Sequence, residues 1–233
     1  MTPVKRLFTA LAVLTVLTAA PGARAAEQND RLVKSLVRQA PGLRTEVLQM
    51  ALRAAQTAAE QGLVKRRDLL TVIDYSLPST QPRLFVFDLV ARKLLFRELV
   101  AHGKNSGDNV PSFFSNSSGS LASCLGLFVT ADPYIGGNGY SLRLKGLEEG
   151  INDMAWSRAI VMHGASYVSD EAIKILGRLG RSWGCPAVRP EIAHRIIDTL
   201  RGGTAVFAYY PEKTWLATSA FVRGTASSQR AAR

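Results

Sequence analysis

The sequence predicts a mainly β (α+β) domain with antiparallel strand pairing, two helices in front and one helix inserted late. Three observations carry this expectation. From residue 69 onward, short apolar runs of strand length follow one another between turn-forming residues. A helical period is clearest over residues 29–62 and 190–201, and the segment between His163 and Cys185 is helix-like. A chain of 233 residues with 47% hydrophobic content suits one domain, and a domain of that size buries roughly 70–75% of its unfolded surface without a disulfide or metal staple.

The elements follow in order. Leu32, Val33, Leu36 and Val37 form one apolar stripe, stopped at Pro41-Gly42. Leu43, Val47, Met50, Ala51, Ala54 and Ala58 form a second, ending near Gly62. Such a helical pair is expected to pack against the main domain. Leu69–Ile73, Arg83–Phe87 and Leu94–Val100 read as strands, with Ala91-Arg92-Lys93 as a turn. Residues 102–124, rich in Gly, Ser and Asn, read as a long loop, and a loop of that length in a compact domain is often functional. Leu125–Thr130 and Ser141–Leu144 are strand candidates around the Gly136–Gly139 turn. Ala159–Met162 is an apolar strand running into His163-Gly164. Pro190–Arg201 carries Pro near its start and Gly202-Gly203 past its end, as a helix should. Thr204–Tyr209 is a last strand.

The termini read differently. Lys5 and Arg6 precede a 14-residue apolar run, Leu7–Ala20, and then the small-x-small site Ala23-Arg24-Ala25. This is the pattern of a cleaved export signal; an uncleaved anchor is the alternative. No apolar run is long enough for an ordinary transmembrane span. The expected division is a signal peptide over 1–25, a helical extension over 26–68, a main domain over 69–216 and a loose basic tail over 217–233. Export implies a periplasmic location. Removal of Lys5, Arg6 and Arg24 would lower the formal charge from +11 to +8. That charge fits either an anionic partner or a solvated basic surface. The basic residues are scattered, and without interleaved aromatics they form no nucleic-acid platform.

Two Cys and three His bound the chemistry. Two Cys are too few for a zinc ribbon or iron–sulfur cluster. His102, His163 and His194 lie far apart in sequence, so no metal site is expected. The informative stretch is 159–190: His163 ends an apolar strand, and Cys185 follows in Ser182-Trp183-Gly184-Cys185-Pro186. A Cys becomes a nucleophile when a base or positive group favours its thiolate, and His is the usual partner. Gly184 permits a sharp turn, and backbone amides beside a nucleophile can form an oxyanion hole. Blander readings stand beside these: a structural His, a buried Cys acting as a small hydrophobe, or a Cys124–Cys185 disulfide.

His163-Gly164, then 17 residues, then Ser182-x-Gly184-Cys185 resembles the signature of the YkuD-type murein L,D-transpeptidases. Val100–Gly107, Phe114-Ser115-Asn116, Gly119-Ser120, Leu125-Gly126, Ser141–Leu144 and Gly180-Arg181-Ser182 sharpen the likeness, which covers roughly residues 69–211. The resemblance implies a β-sandwich or barrel with a helix after the catalytic Cys and an N-terminal helical extension. It also implies a cysteine acyltransferase without a cofactor, acting on peptidoglycan tetrapeptide stems. Cys185 would attack the carbonyl between diaminopimelate and the terminal D-Ala, and a second stem would then complete a 3→3 cross-link. His163 would be the base. Ser182, Trp183 and Gly184 would orient His163 and, with the Cys185 amide, stabilise the oxyanion. Gly164 and Trp183 would line the site. The chain departs from many relatives in having Trp183 where they carry His, and Pro186-Ala187-Val188 before Arg189. Carboxylate recognition would then pass to Arg181, Arg189 or Arg143. An L,D-carboxypeptidase, a protease releasing wall-attached proteins and a non-catalytic wall-binding protein are the competing readings.

Overall fold

The structure is a computed structural model describing residues 21–223, with side chains from residue 27. Most of the expected signal (residues 1–20) and the end of the expected tail (224–233) lie outside the described residues. The chain enters through α1 (Pro21–Gln39), whose first turns include the expected cleavage site, and α2 (Thr45–Glu60). α1 buries Val33 and Leu36 and ends before Pro41 and Gly42, whose φ of 97° turns the chain back. α2 presents Ala51, Ala54 and Ala58 to the interior, all fully buried. Side chains this small let a helix lie close on a sheet, and α2 packs on β1 (Arg66–Asp74).

The remaining strands are β2 (Leu84–Asp88), β3 (Lys93–Glu98), β4 (Gly126–Gly136), β5 (Gly139–Gly146), β6 (Val161–Gly164), β7 (Ala187–Val188) and β8 (Thr204–Tyr209). They form one sheet in the order β3-β2-β1-β8-β4-β5-β6-β7. Its two ends meet. Ala101, just past β3, bridges Ala187 of β7 and donates its N–H to the Ala187 carbonyl at 2.8 Å. Glu98 and Arg189 pair across the same seam. The architecture is mixed α+β, a nearly closed eight-stranded barrel with helices in front. β1 from Leu69 onward and all of β8 are buried on both faces, which explains their unbroken apolar runs.

A short helix, α3 (Asp170–Leu176), lies in the helix-like segment between His163 and Cys185; Ser169 caps it by accepting the Ala172 N–H. Two features differ from the expectation. β1 pairs with β8, and β6 with β7, in parallel rather than antiparallel. The chain past 217 is not a loose tail throughout. α4 (Pro190–Leu200) precedes β8, and after β8 come α5 (Lys213–Thr218) and α6 (Ala220–Arg223). Trp215 and Phe221 anchor this end in the core, the Trp215 indole N–H donating to the buried Glu148 carboxylate at 3.0 Å.

Candidate active site

Strand pairing and the turn before β7 bring His163 and Cys185 to one cavity. In the parallel pair β6–β7, His163 lies opposite Ala187. Cys185 lies just before β7, outside the strand, on the wall of the cavity that His163 also lines. The Cys185 sulfur sits beside the start of β6. Val161 N–H donates to Sγ at 3.4 Å, and the thiol donates weakly to the Ala159 carbonyl at 3.7 Å. Ala159 reaches this position with a left-handed φ of 52°, a conformation residues with a Cβ seldom adopt. Both His163 and Cys185 line one cavity of about 590 Å³.

The turn that presents Cys185 is held by polar contacts. Ser182 Oγ accepts the Gly184 N–H at 3.1 Å and donates to the Cys185 carbonyl at 2.7 Å. Gly184 has φ +124°, and a Cβ there would lie 2.7 Å from the Ala122 carbonyl oxygen. Only glycine satisfies both demands. Ser123 Oγ donates to the Gly184 carbonyl at 3.0 Å and accepts the Gly103 N–H at 3.0 Å, tying the long polar loop to the turn.

His163 Nδ1 lies 3.0 Å from the Gly164 carbonyl oxygen. That contact places the proton on Nδ1 and leaves the Nε2 lone pair to accept one. Burial pulls the His163 pKa below its ordinary 6.5, against the pull of the Gly164 contact. Burial likewise pushes the Cys185 thiol up; the Val161 N–H and the Arg158 charge oppose it. Both shifts favour the neutral forms, a thiol and an unprotonated imidazole, a combination suited to proton transfer at the moment of attack.

The expected support of His163 by residues 182–184 is replaced by Gly164. The Ser182 carbonyl accepts the Lys104 N–H, and the Gly184 carbonyl is taken by Ser123. With the Gly184 amide turned to Ser182 Oγ, the Cys185 amide is the group of this Gly-Cys pair left for an oxyanion. Gly164 lines the cavity, but it also allows α4 to close on β6: a Cβ there would meet the Ala193 Cβ at 3.0 Å. Trp183, 74% exposed, and Arg181 line the same cavity. Arg181 donates to the Gly107 carbonyl at 2.8 Å and meets Asp108 at 3.2 Å.

Arg143 and Arg189, expected near the substrate carboxylate, do not line this cavity. Arg143 stacks between Tyr134 and Trp156, 4.5 and 4.9 Å from their ring centroids. Arg189 binds Glu98 through Nε and Nη2 at 3.0 and 2.6 Å. Cys124 and Cys185 are both free thiols rather than a disulfide. His102 is fully engaged, Nδ1 accepting from buried Arg83 at 2.7 Å and Nε2 facing the Gly107 carbonyl at 3.3 Å. Sequence reasoning missed Arg158 and Tyr167, which line the cavity, and Ser123 beneath it. Arg158 had one faint signal, a lone charge at the start of the apolar stretch that leads to His163.

A thiol and an imidazole whose Nδ1 is hydrogen-bonded open on one cavity, a pairing with the chemistry of a nucleophile and a base. The model of the L,D-transpeptidase catalytic domain matches residues 39–209, most of the chain, and the chain belongs to this YkuD family. No match was found among curated proteins. Among solved structures, an L,D-transpeptidase from Mycobacterium smegmatis is 13% identical, with 61% of this chain and 59% of that chain covered and a TM-score of 0.38. The helical cell shape determining protein Pgp2 from Campylobacter jejuni is 14% identical, covering 70% and 57%, with a TM-score of 0.41. An L,D-transpeptidase from Stackebrandtia nassauensis is 15% identical, covering 71% and 65%, with a TM-score of 0.37. The chain thus spans less than two thirds of each of these structures.

Among the described residues, no three His, Cys, Asp or Glu side chains are grouped to hold a metal ion. No helix among them is long and apolar enough to cross a membrane.

Proposed function

We propose that the protein is a peptidoglycan L,D-transpeptidase, exported to the periplasm, with Cys185 as nucleophile and His163 as base. The supporting observation is the pair itself: His163, its Nδ1 held by the Gly164 carbonyl, opens on the same cavity as Cys185. In this reading Sγ attacks the diaminopimelate carbonyl of a tetrapeptide stem while its proton passes to His163 Nε2. The Cys185 amide faces the oxyanion. The C–N bond to D-Ala then breaks, His163 protonates the departing amine, and a thioester remains. The side-chain amine of a second stem attacks that thioester, giving its proton to His163, which returns it to the leaving sulfur. Bonds and protons balance, and the enzyme is regenerated without a cofactor.

The test is muropeptide analysis after incubating purified protein with sacculi rich in tetrapeptide stems, beside Cys185→Ala. New 3→3 dimers with the intact protein alone are expected. Tripeptide monomers without dimers would make water the acceptor and the protein an L,D-carboxypeptidase. No Cys185-dependent product would leave a wall-binding protein.

A further inference from the structure

Arg158 takes no part in the mechanism above, yet it lines the cavity. Its Nη1 donates to the Ser115 carbonyl at 2.6 Å and contacts Cys124 Sγ at 2.7 Å. Its Nη2 donates to the Ala122 carbonyl at 2.7 Å and to Ser120 Oγ at 3.1 Å. All four acceptors belong to one stretch, 115–124, of the long polar loop. Among the described residues Arg158 forms no ion pair. The guanidinium is therefore held by neutral groups, and its charge is uncompensated in a half-buried position.

The same guanidinium lies against the catalytic turn. Its Nη2 is 3.3 Å from where a Cβ on Gly184 would stand, and the Ala122 oxygen it grips is 2.7 Å from that point. The stretch it holds includes Ser123, whose hydroxyl fastens the Gly184 carbonyl.

We infer that Arg158 is a positioning residue of this site: it fastens the 115–124 stretch beneath the Ser182–Cys185 turn and keeps a positive charge beside Cys185 as its sulfur becomes anionic. This rests on Cys185 being the nucleophile proposed above. The two roles are physically separable. A planar guanidinium reaches four acceptors from two nitrogens, which the point charge of a lysine cannot reproduce. A nearby cation of either kind favours a thiolate. Cys124 does not cancel that charge, because burial pushes its thiol up to about 11 and it remains protonated.

The experiment follows iodoacetamide alkylation of Cys185 by peptide mass mapping across a pH series, with thermal midpoints, for the full chain, Arg158→Met and Arg158→Lys. Arg158→Met is expected to raise the alkylation midpoint by about one pH unit and slow the reaction about tenfold below it. Arg158→Lys is expected to keep the midpoint of the unaltered protein while lowering the thermal midpoint. A role in folding alone would lower the thermal midpoint and leave the pH profile in place, and that result for Arg158→Met would overturn the inference. So would a lysine variant shifted as far as the methionine variant. If Arg158→Met does not fold, the lysine profile decides: an unchanged midpoint supports the inference and a raised one overturns it. Alkylation needs no stem peptide, so an absence of cross-linking would count against the proposed function and not against this result.

Discussion

The protein holds two buried thiols and two buried imidazoles, and their surroundings differ in one respect. Cys185 and His163 open on a cavity, and the imidazole keeps Nε2 for an incoming proton. Cys124 is gripped by Arg158 and donates to the Ser115 carbonyl, while His102 has a partner on each ring nitrogen. Burial does not tell the pairs apart, since it lowers both histidines and raises both thiols. The imidazoles differ in hydrogen-bonding capacity left unused, whereas the thiols, each with a donor and an acceptor partner, differ in whether they open on the cavity that His163 lines. A group saturated away from that cavity stabilises, and one that opens on it can react.

The largest expected effect comes from exchanging alanine for each thiol. Cys185→Ala should abolish thioester formation, and Cys124→Ala should leave the rate within about a few-fold, as mass spectrometry of the acylated protein would show. Equal losses would erase the distinction between the two thiols. His163→Gln should slow acylation by roughly 10²–10⁴, the usual contribution of a general base. The unaltered rate should fall only as pH drops through a His163 pKa lying below 6.5. A stopped-flow pH series would find that acid limb, and a limb above 6.5 would contradict the desolvated, neutral base.

His102 should instead govern stability. Burial and the Arg83 charge bring it from an ordinary 6.5 to about 4. Between those values the unfolded chain binds a proton that the folded one refuses, so stability falls as pH falls through this window. The shift corresponds to roughly 3 kcal/mol, lost in full only below about pH 4. Urea unfolding at pH 7 and pH 4.5 should show most of this loss, and His102→Gln should flatten it. Gly184→Ala should cost about 2 kcal/mol by forcing a Cβ onto the Ala122 carbonyl at a φ that residues with a Cβ avoid. A variant with an unchanged thermal midpoint would mean that the turn has other room to move.

Much of this was legible in the sequence because it is written locally. All strands except the two-residue β7 announced themselves as apolar runs, α4 through Pro190 and the following glycines, and the His163–Cys185 pair through its resemblance to a family signature. The parallel pairing of β1 with β8 was hidden because it joins the two ends of the domain, where no turn residue marks the partner. Arginine roles were hidden for a similar reason. Arg143, Arg158, Arg181 and Arg189 look alike beside the motif, and distant partners separate them: two rings for the first, loop carbonyls for the second, Glu98 for the last. The end of the chain misled because α6 is only four residues long, too short for a helical period to show, and its burial depends on Phe221 finding the core.

The central claim is that Cys185, rather than any other group, forms the acyl-enzyme. Treatment of the intact protein with a carbapenem, followed by peptide mass mapping, tests it most directly. A single adduct on the peptide carrying Cys185, absent from Cys185→Ala and retained in Cys124→Ala, is the predicted result; an adduct that persists in Cys185→Ala would contradict it.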